Sequence, residues 1–286
     1  MPWTNLTDVR CYYEALGSGE PLILVPGLGV DCRLWDPVLP ELAEQFSVIA
    51  VDNRGMGRSE ARRKPQRLAD YAADLVELLD HFQIDRAHVL GLSLGGMIAR
   101  RMAIDHPSRV NRLVLCSCTD RFTPYLRQMT MLLASVLRKM PTEAFNRTIE
   151  LLGTSPQFFD ANAELIERRV ADKCDFSPGA RAIGQQLRCV ACEDAQNDPR
   201  DVVRTPTLVM AGEHDALIPA VYAQAMAGRI PTSEFRIVPG AGHNPLLERP
   251  DVACPAIVEF LKSNKTTGAA SRDAAGRAER RTMATH

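Results

Sequence analysis

The stretch His88-Val89-Leu90-Gly91-Leu92-Ser93-Leu94-Gly95-Gly96 decides the architecture. An apolar run ends at Leu92, and a helical pattern runs from Leu94 towards His106, stopping before Pro107. Gly91-Leu92-Ser93-Leu94-Gly95 fits G-x-S-x-G, in which a strand turns sharply into a helix and holds a serine in strained backbone geometry. Any side chain at 91 or 95 would collide with neighbouring backbone, so the turn needs glycine there. The helix N-terminus beneath Ser93 favours negative charge on its hydroxyl or on what it attacks. As a bare pattern the motif also arises by chance, and its seat between strand and helix gives it weight.

Similar apolar runs flank this one, at residues 22–25, 46–51, 113–115, 207–210 and 235–238. Continuous apolar runs are what strands buried on both faces require. Between them lie helical patterns. In one, Leu68, Tyr71, Ala72, Leu75, Leu78, Leu79 and Phe82 recur at helical spacing. The alternation predicts an α/β fold with a mostly parallel sheet covered on both sides. Near the start, Val9, Cys11 and Tyr13 alternate with Arg10, Tyr12 and Glu14, the period of a half-exposed antiparallel strand.

The rhythm breaks once. Residues 120–202 hold no strand-like run, only helical segments near 125–139, 142–152, 162–173 and 179–194, punctuated by Pro141, Pro156, Pro178 and Pro199. This block is expected to be a helical cap inserted into a core formed by 1–119 and 203–262. Residues 263–286 contain no aromatic residue and no Val, Ile or Leu, and are expected to be a disordered tail.

The 286 residues are 45% hydrophobic and 24% charged, which excludes disorder as the main state. Thirty-four Lys and Arg against 35 Asp and Glu give a net charge of −1. The tail carries five basic and two acidic residues, so it is +3 and the body −4. Without a basic excess a nucleic-acid partner is not expected, and no apolar run reaches the length of a membrane span. Met1-Pro2-Trp3-Thr4-Asn5 shows neither a charged nor an apolar leader segment. The eight cysteines are therefore expected to be reduced thiols in a cytoplasmic protein. Cys189-Val-Ala-Cys192 lacks the second pair of a zinc site and reads as two helix residues one turn apart. No metal and no cofactor is expected. A small-molecule substrate is the expected partner, with a homodimer left open.

A nucleophilic serine needs a base, and the base an orienting acid. The run 207–210 leads into Gly212-Glu213-His214-Asp215-Ala216-Leu217-Ile218-Pro219, and the run ending at Val238 leads into Gly240-Ala241-Gly242-His243-Asn244-Pro245. Asp215 and His243 thus each follow a strand, at the sheet edge where ligands bind. The order Ser93, Asp215, His243 is what a triad on a parallel sheet requires. His214 and Asp120 are alternatives for base and acid, while His81, His88 and His106 fall on helix or strand patterns and read as structural.

Val25-Pro26-Gly27-Leu28-Gly29-Val30 begins like a dinucleotide loop, with Asp52 as a ribose acid, but Cys32 stands where the third glycine belongs. An oxyanion loop fits better, with the amides of Leu28 and Leu94 as donors.

With these motifs in hand the chain resembles the α/β-hydrolase fold superfamily, and within it the 3-oxoadipate enol-lactonase-like group of esterases and lactonases. The resemblance rests on Pro26-Gly27-Leu28-Gly29, Asp52-Asn-Arg-Gly-Met-Gly-Arg-Ser59, Gly91–Gly96, Gly212–Pro219 and Gly240–Pro245, and covers residues 9–262. It implies Ser93 as nucleophile, Asp215 as acid, His243 as base, and Leu28 and Leu94 as the oxyanion hole. Two departures stand out: Pro26-Gly27 where many relatives have His-Gly, and Met56 where they often have His. The implied activity is acyl transfer to water from an ester, thioester or lactone. Phe122, Tyr125, Met129 and Phe145 are the expected substrate-contacting residues of the cap. Two other activities compete. One is carbon–carbon bond hydrolysis of ring-cleavage products, with Arg127, Arg188 and Gln185 as polar groups in the cap. The other is a non-catalytic ligand receptor on the same fold.

Overall fold

The computed structural model describes residues 2–60, 67–175, 179–192 and 202–263. The expected tail, apart from Ser263, lies outside the described residues, as does the side chain of Cys192. The chain runs β1 (Trp3–Asn5), β2 (Arg10–Leu16), β3 (Pro21–Val25), α1 (Leu39–Ala43), β4 (Ser47–Val51), α2 (Leu68–His81), β5 (Ala87–Leu92), α3 (Leu94–Asp105) and β6 (Val110–Cys116). Five helices follow: α4 (Pro124–Lys139), α5 (Thr142–Gly153), α6 (Pro156–Ala161), α7 (Ala163–Asp175) and α8 (Ala180–Cys192). The core then resumes with β7 (Thr207–Gly212), α9 (Ala220–Ala227), β8 (Ser233–Val238), α10 (Pro245–Glu248) and α11 (Pro250–Lys262).

The strands form one sheet in the order β1-β2-β4-β3-β5-β6-β7-β8. Only β1 and β2 run antiparallel to their neighbours; the rest pair in parallel. Alternate residues of β3 divide between two cores. Ile23 and Val25 pack with α2 and α3, and Leu22 and Leu24 with α1 and α11. This two-sided burial explains why the strands read as unbroken apolar runs. From β3 the chain winds first to β4 on one side and later to β5 on the other. The carboxyl ends of β3 and β5 therefore flank a topological switch point, where open α/β sheets bind ligands.

Two local expectations are corrected. Tyr12 does not face solvent: it is buried between Trp3, edge-on at 4.9 Å, and the Arg58 guanidinium, 3.5 Å above its ring. The unanticipated β1 supplies Trp3. Pro156 does not break a helix but starts α6, with Ser155 capping it by accepting from Phe158 N. Asp52 braces the two loops around it: Oδ1 accepts from Cys32 N at 2.8 Å, and Oδ2 from Arg58 N at 2.8 Å. The cap helices bury a cluster of their own, Leu133, Leu137, Phe145, Ile183 and Leu187, which meets the core at Leu217. Among the described residues no helix is long and apolar enough to cross a membrane.

Candidate active site

Ser93 stands between the last residue of β5 and the first of α3 with φ 56° and ψ −120°. A non-glycine residue in that region is strained by about 1–3 kcal/mol and persists only where its surroundings enforce it. Here the enforcement is steric. A Cβ at Gly95 would stand 2.0 Å from the Val25 carbonyl oxygen, and one at Gly91 would stand 2.2 Å from that of Gly95. The helix is thus pressed onto the sheet at van der Waals limits, and Ser93 N donates to Cys116 O at 2.8 Å to fix the bend.

Asp215 follows β7 and is buried. Its Oδ1 accepts from the amides of Leu217 and Ile218, at 2.9 and 2.8 Å, and its Oδ2 accepts from His243 Nδ1 at 2.8 Å. The three bonds fix the carboxylate, which in turn fixes the imidazole with its proton on Nδ1 and Nε2 available as an acceptor. His243 and Ser93 line one cavity of ≈130 Å³, so residues 93, 215 and 243 converge from three strand ends.

The loop carrying His243 is stitched to the cap. His243 N donates to the Gly153 carbonyl at the end of α5, at 3.0 Å. Glu248 Oε2 accepts from both Gly242 N and Ser155 N at 2.9 Å, joining the histidine loop to the α5–α6 junction. Glu248 gave no signal in the sequence, where it reads as one charge at the end of a short helix.

Leu28 and Leu94 both line the cavity, and Leu94 N–H heads α3, where amides lack intrahelical partners. Asn53 Nδ2 donates to Pro26 O at 2.9 Å, and Gly29 N donates to Gln186 Oε1 on α8 at 2.8 Å. The loop is therefore held from the core on one side and from the cap on the other. Leu28 N–H, between them, has no partner among the described residues. Amide donors beside a serine can stabilise an oxyanion where they face the developing charge.

The expected substrate contacts divide. Phe122 and Met129 line the cavity. Phe145 does not; it is fully buried in the cap's own core. Tyr125 does not either: it is half exposed and stacks on Tyr222 at 6.2 Å. Arg127 and Arg188 line a separate groove between α4 and α8, and Gln185 is absent from the cavity wall. Asp120, the alternative acid, is bound to Arg229, with Nε donating at 2.8 Å. His214 is exposed beside Glu213, outside the cavity wall. The remaining wall is mainly apolar, with Leu34, Met97, Leu126, Leu133, Ile149, Leu217 and Ile218. It also carries the charged trio Glu150, Arg169 and Lys173, which the sequence reading did not single out.

Residues 20–250 match the family described as the alpha/beta hydrolase fold. Two relatives are provisionally named carbamate hydrolase RutD. The protein from Variovorax paradoxus is 30% identical over 261 residues, 87% of this chain and 95% of its own. The one from Azorhizobium caulinodans is 29% identical over 260 residues, 91% and 98% of the two chains. Among solved structures, a thermophilic esterase from Thermogutta terrifontis superposes with a TM-score of 0.80 at 28% identity, covering 91% of this chain and 98% of its own. An enol-lactonase from Burkholderia xenovorans shares the fold at 24% identity, with a TM-score of 0.81 and coverage of 92% and 100%.

Proposed function

The chain belongs to the α/β-hydrolase fold family, and on that premise we propose that it is a serine hydrolase cleaving a carboxylic ester or lactone of a small, largely apolar substrate. One observation carries the reading: Ser93, strained at the β5–α3 bend, shares a cavity with His243, whose Nδ1 lies 2.8 Å from the buried Asp215. His243 Nε2 takes the Ser93 proton as Oγ attacks the carbonyl carbon, and the carbonyl oxygen becomes an anion facing the Leu28 and Leu94 amides. Collapse expels the alcohol, protonated by His243, and leaves an acyl-enzyme. A water deprotonated by His243 then releases the acid and restores the hydroxyl. Asp215 keeps the imidazole in the required tautomer and stabilises its cation.

The small cavity and its apolar wall support a compact substrate. Arg127 and Arg188 line a different groove, which weakens the carbon–carbon hydrolase alternative. The relatives named for carbamate hydrolysis support including a carbamate in any substrate panel, because the same acyl-enzyme chemistry serves that carbonyl. Cys11, Cys32, Cys116, Cys118, Cys189 and Cys254 are free and buried, which fits the expected reducing, cytoplasmic compartment.

The test is turnover of p-nitrophenyl esters together with labelling by a fluorophosphonate. The wild-type protein is expected to do both. Ser93→Ala should lose labelling and about 10⁴-fold or more of kcat. Turnover unchanged in Ser93→Ala overturns the assignment, and a folded wild type that neither labels nor turns over points to the receptor alternative.

A further inference from the structure

The charged trio in the cavity is the feature that the proposed reaction leaves unused. Glu150 on α5 is buried to within 3% of its side-chain surface. Its Oε1 and Oε2 accept from Arg169 Nε at 3.2 and 3.3 Å, and its Oε1 lies 2.7 Å from Lys173 Nζ. Both cations are on α7, at i and i+4, so they share one face and reach the same carboxylate. Burial alone would push the Glu150 carboxyl up, but Lys173 and Arg169 together outweigh it and hold the group below its ordinary value. The carboxylate is ionised at neutral pH and matches one of its two partners. The neighbouring Asp31 also attracts Lys173, while it is itself bound by Arg33 through Nε at 3.0 Å and Nη2 at 2.6 Å. Both cations thus share a single carboxylate on this wall, and burial pulls the Lys173 ammonium below its ordinary range against the attraction of Glu150.

A cation partly withdrawn from water is stabilised by an anionic ligand that takes up its remaining donors. Arg169 meets Glu150 only through Nε, leaving the Nη1 and Nη2 edge with no partner among the described residues. That edge is the fork that receives carboxylates and phosphates in two parallel bonds. The position relative to the reacting atoms is also defined. Glu150 precedes Gly153, which holds the His243 backbone, by three residues, or about 4.5 Å along the helix axis.

We propose that Arg169 and Lys173 form an anion subsite of the catalytic cavity, so that the substrate is a monoanion with a carboxylate remote from the scissile carbonyl. Glu150 is the positioning residue that gathers the two cations on one carboxylate at the wall. This deepens the proposed hydrolase reading and rests on it for the word substrate, but the subsite can be read without turnover.

The catalytic arm compares monoethyl esters of the C4–C8 dicarboxylic acids with ethyl esters of monocarboxylic acids of equal length, followed by pH-stat. At the best length the charged ester is expected to win in kcat/KM by about tenfold or more, the worth of one charge-assisted hydrogen bond. Arg169→Met and Lys173→Met should each lower that charged-to-neutral ratio by about tenfold, chiefly through KM. A ratio unmoved in both variants, with charged and neutral esters falling together, means that the trio only braces α5 against α7, and overturns the subsite. The binding arm uses Ser93→Ala protein and thermal shift with succinate through suberate. Stabilisation by one of these diacids that Arg169→Met abolishes upholds the subsite even if no ester is hydrolysed, in which case only the hydrolase reading fails. Absence of stabilisation by any of them overturns it.

Discussion

The carboxyl edge of the sheet and the helical cap above it are built under different constraints. At the sheet edge the backbone itself is crowded: α3 is pressed so closely on β3 and β5 that two positions admit no Cβ. In the cap, amphipathic helices meet through side chains, and a glycine such as Gly184 has its nearest neighbours at 3.7 and 3.8 Å. The edge holds a geometry; the cap holds a composition. Chemistry common to many substrates belongs on the first, and selection among them on the second.

The largest break in this comparison would come from Asp215→Asn. The asparagine oxygen can still accept from Leu217 and Ile218, so the fold should survive with an unchanged melting temperature. The amide cannot fix the same imidazole tautomer, and kcat should fall by about 10⁴-fold. A loss much below that would mean the acid comes from elsewhere, with Asp120 the obvious substitute.

The cap can be tested by two aromatics that the sequence treats alike. Phe145→Ala should cost about 3–5 kcal/mol in chemical denaturation, because it opens a cavity in the cap core. Tyr125→Ala, at a half-exposed stack, should stay within about 0.5–1 kcal/mol. Equal costs would mean that the cap has no packed core of its own.

The sharpest contrast uses one chemical change at two positions. Gly95→Ala should lose about 3 kcal/mol or more, since backbone must move to admit the methyl group. Gly184→Ala, inside α8 with room to spare, should gain about 0.5–1 kcal/mol from helix propensity and a less flexible unfolded chain. Denaturant midpoints of the two variants, with m-values checked for constancy, decide it.

Much of the edge was legible because strand burial and turn sterics leave local marks. The run 207–210 and the glycines around 91–95 place Ser93, Asp215 and His243 without any long-range information. The cap was legible only as helices. Phe145 and Phe122 are the same residue type at the same kind of spacing, yet one fills the cap core and the other the cavity wall. Nor did Arg127 and Arg188 differ in any local way from Arg169, which alone of the three reaches the cavity. A faint signal did exist: Asn146, Glu150 and Gly153 form a polar stripe at helical spacing on α5, and all three are buried. Charged helix positions are solvated so often that this stripe could not be told from an outer face.

By itself the sequence determined the layered α/β core, the interruption by a helical cap and the three strand ends that carry Ser93, Asp215 and His243. These follow from interactions between residues close in the chain: period, burial and the steric demands of a turn. Only the tertiary structure decided that Gln186 grips the loop beside Leu28, that Glu248 ties the histidine loop to the cap, and that Glu150, Arg169 and Lys173 meet inside the cavity. The first two join residues 157 and 93 positions apart. No local propensity records such pairs; they exist because packing the cap onto the sheet edge brings buried polar groups together and each must find a partner.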